Sequence, residues 1–149
     1  MKQYKHLKDY TTSIEPDKTA AEIARCLSMH GAKAVLTEYD EKEGFVVALS
    51  FQMNINDSNV AFRLPSDWRP VLQILENDNK IPKARSTKEQ AVRTAWRIVL
   101  HWVEAQMAFI ESQQIKTQQA FLPYAVMKNG KTLSEQIISN PNLLLGSGE

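Results

Sequence analysis

Polar and apolar positions change their period twice along the chain. In "EPDKTAAEIARCLSMHGA" Ile23 and Leu27 share a face with Ala20 and Ala24, and Thr19 with Glu22 makes a Thr-x-x-Glu capping pattern. The spacing predicts a helix of about three turns stopped by Gly31. The period then drops to two. "AVLTEYD", "FVVALSFQMNI" and "VAFRLP" are β-rich runs separated by the turn-forming clusters "EKEG" and "NDSN", which predicts three antiparallel strands. Phe45, Val47, Leu49, Phe51, Met53 and Ile55 are expected to face a core, continued by Val60, Phe62 and Leu64. Val46, Ala48, Ser50, Gln52, Asn54 and Arg63 are expected to face outward. "YTTSI" (10–14) is β-leaning and is a candidate fourth strand at the edge.

Helical spacing returns at residue 66. Ser66 is the expected cap of a helix through "DWRPVLQILEND", whose apolar face is Val71, Leu72 and Leu75. Pro82 interrupts, and Ser86 with Glu89 forms a second capping pattern. From Thr87 to about Gln113 nothing breaks the next helix, which would be roughly 40 Å long. Beyond it lie a short helical piece ending at Pro123, an Asn129-Gly130 turn, a last helix through Ile137 and Ile138, and ten final residues expected to be loosely held. The fold class is therefore α+β: a three- or four-stranded antiparallel sheet packed against helices, with a long helix in the C-terminal half. Residues 1–79 form the sheet-containing part, and residues 80–149 form a helical part packed on it within a single domain.

The long helix carries more apolar surface than one sheet face requires. Between Val92 and Ile110 its apolar side chains cover an arc of about 220°, against the roughly 100° of an ordinary amphipathic helix. Either the C-terminal segment, with Phe121, Leu122 and Tyr124, or the same helix of a second copy must cover the rest, so a homo-oligomer is one expectation. The narrow polar stripe of Arg93, Arg97, His101, Glu104 and Glu111 is expected to be a solvated face stitched by pairs within the helix.

Composition removes several function classes. With 149 residues, 43% hydrophobic and 23% charged, the chain is long and apolar enough for a core without disulfides. Its single cysteine, Cys26, fits a reducing compartment, no apolar run approaches the length of a membrane span, and the N-terminus lacks a signal-peptide core. The expected location is the cytoplasm, with no membrane partner. The three histidines His6, His30 and His101 are widely separated, and no metal-ligand spacing occurs. The five glycines lie singly, so no phosphate cradle is present, and no Gly-x-Ser-x-Gly elbow is found. Asp40, Glu41 and Glu43 read as a hairpin tip rather than a magnesium site, and His101 with Glu104 as ordinary helix neighbours. The expectation is a non-catalytic protein with no cofactor and no metal.

Charge changes the picture at one place. Residues 80–97 hold six Lys or Arg and one Glu, whereas the remainder of the chain is net acidic and the whole sums to only +1. Cations at a helix start oppose the helix dipole, so their accumulation there asks for a compensating partner. Lys80, Lys83, Arg85, Lys88, Arg93 and Arg97 are the candidate contacts to nucleic-acid phosphates, DNA or RNA. Arg63 with Ser50, Gln52 and Asn54 on the open sheet face is a candidate extension, and Tyr39 or Trp68 a candidate stacking surface. An acidic protein surface would satisfy the same charges, and an inhibitor or adaptor that docks a host protein through the apolar long helix is the alternative. The order helix, three strands, helix is also that of a double-stranded RNA-binding domain, but no helix-terminal lysine motif accompanies it.

Across nearly the whole chain, "YTTSIEPDKTAAEI", "HGAKAVLTEYD", "VALSFQM", "VAFRLPSDW", "QAVRTAWRIVLHWVEAQMAFIE" and "FLPYAVMKNGKTL" resemble an uncharacterised family of small proteins encoded by bacteriophages and integrated mobile elements. The resemblance implies a setting, expression inside a bacterium beside phage genes. It brings no catalytic residues with it.

Overall fold

The computed structural model describes residues 6–144 and 146. Its first helix, α1 (Pro16–Met29), starts earlier than the Thr19–Glu22 pattern predicts, because Pro16 sits in the first turn with its φ already set for a helix. Thr19 is consequently inside the helix and buried rather than capping it. The C-terminus follows expectation: Gly31 has φ +103°, and the N–H of Ala32 reaches back to the Leu27 carbonyl at 3.1 Å, which closes a Schellman motif. A Cβ at Gly31 would also stand 3.2 Å from the Met53 methyl.

The sheet has three antiparallel strands in the order β1 (Ala34–Tyr39), β2 (Val46–Ile55), β3 (Ser58–Arg63). Asn56 and Asp57 link β2 to β3 with φ of +50° and +65°, the left-handed two-residue turn that matches strand twist. Residues 10–14 are not a fourth strand. Their carbonyls are taken instead by a side chain of the long helix, Gln90, whose amide donates to Tyr10 and Thr12. From Leu49 onward the predicted alternation holds, with Leu49, Phe51, Met53, Phe62 and Leu64 buried. At the start of β2 it inverts: Val46 is 1% exposed and Val47 39%. The cause is a β-bulge, since Glu38 pairs with Ala48 but Tyr39 pairs with Val46, leaving Val47 as the extra residue. Beside the bulge the Val46 carbonyl accepts from the buried Trp96 indole N–H at 3.0 Å.

Helix α2 (Trp68–Asn77) is capped by Asp67, whose carboxylate accepts from the Arg69 N–H, rather than by Ser66. The long helix α3 (Lys88–Glu111) is likewise capped one residue later than predicted. The Thr87 hydroxyl accepts from the Gln90 N–H, while the Ser86 hydroxyl donates to the Leu75 carbonyl. At 24 residues α3 spans about 36 Å. The sheet, α1, α2 and the short α4 (Thr117–Phe121) surround it. Phe121 is fully buried, 5.2 Å from Phe51, 6.3 Å from Phe62 and 5.7 Å from Trp102 between ring centroids, and Tyr124 meets the other edge of Trp102 at 5.4 Å. The broad apolar arc is thus covered largely from within the chain. Phe109 is left 45% exposed, and Leu122, expected to help, faces solvent.

One core therefore runs from α1 and the sheet through α3 to Phe121, joining residues 1–79 to residues 80–149. A second small cluster gathers Leu75, Ile81 and Ala91 around Tyr10. The C-terminal segment passes beside β3, where the Val126 N–H bonds the Ala61 carbonyl at 2.8 Å, and then forms the Asn129-Gly130 turn and α5 (Leu133–Ser139). Of the last ten residues, 145 and 147–149 lie outside the described residues, and Pro141–Leu143 make a single 3-10 turn. Among the described residues no helix is long and apolar enough to cross a membrane.

Candidate nucleic-acid interface

The cationic loop between α2 and α3 is pinned from several directions. The Asp78 carboxylate accepts from the Lys80 N–H at 3.0 Å, and the Ile81 N–H bonds the Asp78 carbonyl at 3.1 Å. The Ile81 side chain is buried in the small cluster, and Ser86 ties the loop's end to Leu75. Between these anchors a 3-10 turn, Lys83–Arg85, holds its side chains in solvent. Lys80 and Lys83 form no side-chain hydrogen bond or ion pair among the described residues. Arg85 uses one donor, Nη1, on the Thr11 carbonyl at 3.2 Å. These three cations are exposed on one short loop.

The other three predicted helix contacts are engaged elsewhere. Lys88 bonds Glu43 at 2.7 Å and lies over the rings of Phe45 and Trp68, 4.9 and 4.7 Å from their centroids. Arg93 holds the Gln90 side-chain oxygen at 2.9 Å and Glu15 at 3.5 Å. Arg97 donates to Glu22 at 2.9 Å and Thr19 at 3.4 Å. The polar stripe of α3 is thus not a solvated face stitched within the helix. It is mainly a seam with α1, and among the described residues His101–Glu104, at 3.4 Å, is the one ion pair inside the helix. The reason is packing: α1 runs alongside α3, so Glu15, Glu22 and His30 meet Arg93, Arg97 and Glu111 in the same order.

Arg63 stands apart from both groups. It shares a row with Leu36 and Ser50 on the sheet face turned away from α3, where Ala34, Gln52, Ala61 and Val126 help line a shallow depression of about 440 Å³. Its guanidinium approaches the Gly130 carbonyl at 3.4 Å. Tyr39 is exposed at the end of β1. Trp68 is half-buried, edge-on to Phe45, with Arg69 5.3 Å from its ring centroid in addition to Lys88. Its ring therefore already serves two cations.

The titratable groups beyond the loop have structural work. His30 meets acceptors on both ring nitrogens, Glu111 on Nε2 and the Cys26 carbonyl on Nδ1, and only the imidazolium can donate to both. The Glu111 bond, then the carbonyl, raise its pKa above the ordinary histidine value against the opposing effect of burial. A raised folded pKa means stabilisation that is complete below the unfolded value and is lost as pH rises through the folded one. The wild-type melting temperature should accordingly fall between pH 6 and pH 8 by more than that of His30→Gln, and equal falls in thermal scans would refute the assignment. Burial, with help from Glu104 and Glu111, pushes the Cys26 thiol up, so it stays protonated and unreactive at neutral pH. Asp40 accepts from the Glu43 and Lys42 N–H groups, which hold its carboxyl below the usual range and mark it as a turn residue. Among the described residues no group of three potential ligands could hold a metal ion.

Sequence reasoning missed Gln90. It is a polar residue buried at the start of α3, and its neighbours Ala91, Thr94 and Ala95 are small enough to let another segment approach. Helical spacing puts Gln90 on the same stripe as Arg97 and His101, and nothing in that spacing marks it as buried. No family model, curated protein or solved structure matches the chain, so this surface is interpreted from its own geometry.

Proposed function

We propose that the protein is a non-catalytic nucleic-acid-binding protein of phage or mobile-element origin, gripping backbone phosphates through the loop Lys80–Arg85. The observation that carries this reading is the pair of unpartnered ammonium groups, Lys80 and Lys83, with the largely free guanidinium of Arg85, on a loop anchored by buried Ile81. A rigid cationic loop meets phosphates with little ordering cost, and each neutralised phosphate releases counterions. Lys88, Arg93 and Arg97 contribute by holding the β1–β2 turn and α1 in place.

Three phosphate contacts give a modest salt dependence, with log K falling against log salt at a slope of roughly −2 to −3 on duplex DNA. The double variant Lys80→Glu, Lys83→Glu tests the surface, because neither ammonium makes a hydrogen bond or ion pair among the described residues. Retention of an oligonucleotide at low salt should drop by on the order of 10-fold or more while the melting temperature stays within a degree or two. Undiminished retention would remove the loop from consideration.

A second reading, a protein-interaction module that docks a host protein or another copy of itself, is favoured by the outer sheet face rather than by α3. Leu36 is 60% exposed there on the edge strand β1, which among the described residues pairs on one side only. Apolar or strand-edge association would persist as salt rises, and light scattering would report a self-complex.

A further inference from the structure

The sheet protects its two edges unequally. Along β3 the C-terminal segment closes the edge: Ala125 bridges Phe62, and the Val126 N–H bonds the Ala61 carbonyl at 2.8 Å. Along β1 no strand or bridge follows among the described residues. The pairing decides which of its main-chain groups are left over. The Leu64 N–H bonds the Leu49 carbonyl at 2.9 Å, so Leu49 turns its main chain to β3, and Ser50 and Gln52, of opposite parity, turn theirs to β1. Their partners there are Leu36 and Ala34. At the far end of the strand the Asp40 N–H bonds the Phe45 carbonyl at 2.8 Å, which gives the even-numbered residues of β1 the same inward direction. Val35 and Thr37 therefore point their N–H and C=O groups out of the sheet edge, and no hydrogen bond meets them among the described residues.

The strand carries little of what normally blunts an open edge, which is proline, a bulge or a cover of loop or helix. Its sequence, AVLTEY, contains no proline, and the extra residue of the bulge, Val47, belongs to β2. Ala34, Leu36, Glu38 and Tyr39 are exposed, and Val35 and Thr37 are only half-buried, so the edge is open to solvent. Charge is distributed unevenly along it. Lys33 stands at its start, and Glu38 and Asp40 stand at its end. Neither Lys33 nor Glu38 has an ion-pair partner among the described residues.

We infer that the β1 edge pairs with the β1 edge of a second copy of this chain, antiparallel about Leu36, so that the two sheets become continuous; this assignment rests on the second reading above and is independent of what the cationic loop binds. In this register Val35 exchanges both main-chain bonds with Thr37 of the second copy, and Thr37 does the same with the second copy's Val35. Leu36, on the two-fold axis, meets its own counterpart at a non-hydrogen-bonded position, where antiparallel Cα atoms stand about 4.5 Å apart. The two exposed side chains then shield one another from water. The adjacent registers of the same parity set Leu36 against Ala34 or Glu38 instead. Antiparallel pairing also lays the Lys33 end of each copy alongside the acidic Glu38 and Asp40 end of the other, whereas a parallel pairing would bring like charges together. This self-complementarity, in main-chain groups, apolar contact and charge at once, is what selects a second copy over a strand from a different protein.

Sedimentation equilibrium of the intact chain, from micromolar to millimolar concentration, is expected to show the 17.0 kDa species passing to one of twice that mass. Leu36→Lys sets like charges face to face on the axis and should weaken the dimer by on the order of 10-fold or more. The position is exposed, so far-ultraviolet circular dichroism should be unchanged. Register is read by cross-linking in a Cys26→Ala background. Leu36→Cys should close a disulfide between copies under mild oxidation, because the paired Cα atoms fall within bridging distance. Ala34→Cys lies on the same face but pairs with Glu38 of the second copy, about 13 Å along the strand from its own counterpart, and should not cross-link. A chain that stays monomeric throughout overturns the inference and leaves the edge to a strand of another protein, so that the interaction reading itself survives. A dimer that Leu36→Lys does not weaken, or that cross-links through position 34 rather than 36, overturns it as well, because self-association would then use another surface or another register.

Discussion

Phe121→Ala is expected to lower unfolding stability by about 3–5 kcal/mol, the cost of deleting a fully enclosed aromatic side chain. Phe121 enters the core from a segment that would otherwise lie on the surface, and it touches the sheet through Phe51 and Phe62 and the long helix through Trp102. Rings from three parts of the chain surround it, so the cavity cannot collapse by moving one element. The measurement is the urea midpoint, with the slope of the transition unchanged. Trp102 fluorescence should also shift to longer wavelength as water gains the vacated edge. The neighbouring Leu122→Ala, at a solvent-facing position, should move the midpoint by no more than about 0.5 kcal/mol in equivalent stability. Comparable losses from the two variants would mean that Phe121 does not close the core.

Gln90→Ala should cost about 1–3 kcal/mol, through groups left unpaired rather than through lost volume. The amide donates to the Tyr10 and Thr12 carbonyls, and its oxygen accepts from Arg93 Nη2 at 2.9 Å and Nε at 3.3 Å. Truncation strands all three partners at once. Gln90→Glu should be at least as damaging, although it keeps the shape and the Arg93 bond, because a carboxylate would face two carbonyl oxygens with no proton to offer. Thermal unfolding of the two variants at neutral pH decides the matter. If glutamate is tolerated better than alanine, residues 10–12 are not held by the amide donor.

Much of the architecture was legible because it follows from side-chain period. The three strands, the helix between Pro16 and Met29 and the long uninterrupted helix all lie where the alternation and the 3.6-residue spacing put them. What escaped prediction were features decided by contacts between remote segments. Ser66 and Ser86 have the right chemistry for capping, yet Asp67 and Thr87 do it, because only the folded backbone determines which residue adopts the extended cap conformation. The bulge that turns Val47 outward leaves no trace in a run of β-branched residues, since Val46 and Val47 are interchangeable as sequence symbols. "YTTSI" has strand propensity, but it found side-chain donors on α3 before any sheet edge, an instance of tertiary context overriding local preference.

The cationic cluster was visible as composition and only half visible as a surface. Spacing along α3 correctly places Arg93 and Arg97 on one stripe, but it cannot say that α1 would bring Glu15 and Glu22 to meet them. The loop cations escaped that fate for a local reason. Lys80 and Lys83 lie on a short segment whose one buried side chain, Ile81, faces the opposite way. The free charge is accordingly concentrated on fewer residues than the linear count suggests.

The segment of residues 6–12, docked across the start of α3, has a consequence for how the protein is made. Its partners lie 72 to 85 residues further along the chain, at Asp78, Gln90 and Thr94 among others. During synthesis this segment leaves the ribosome before α3 and must stay undocked until α3 has followed it out. Its closure belongs to the last steps of folding, after the slower, long-range entropy of bringing those ends together has been met.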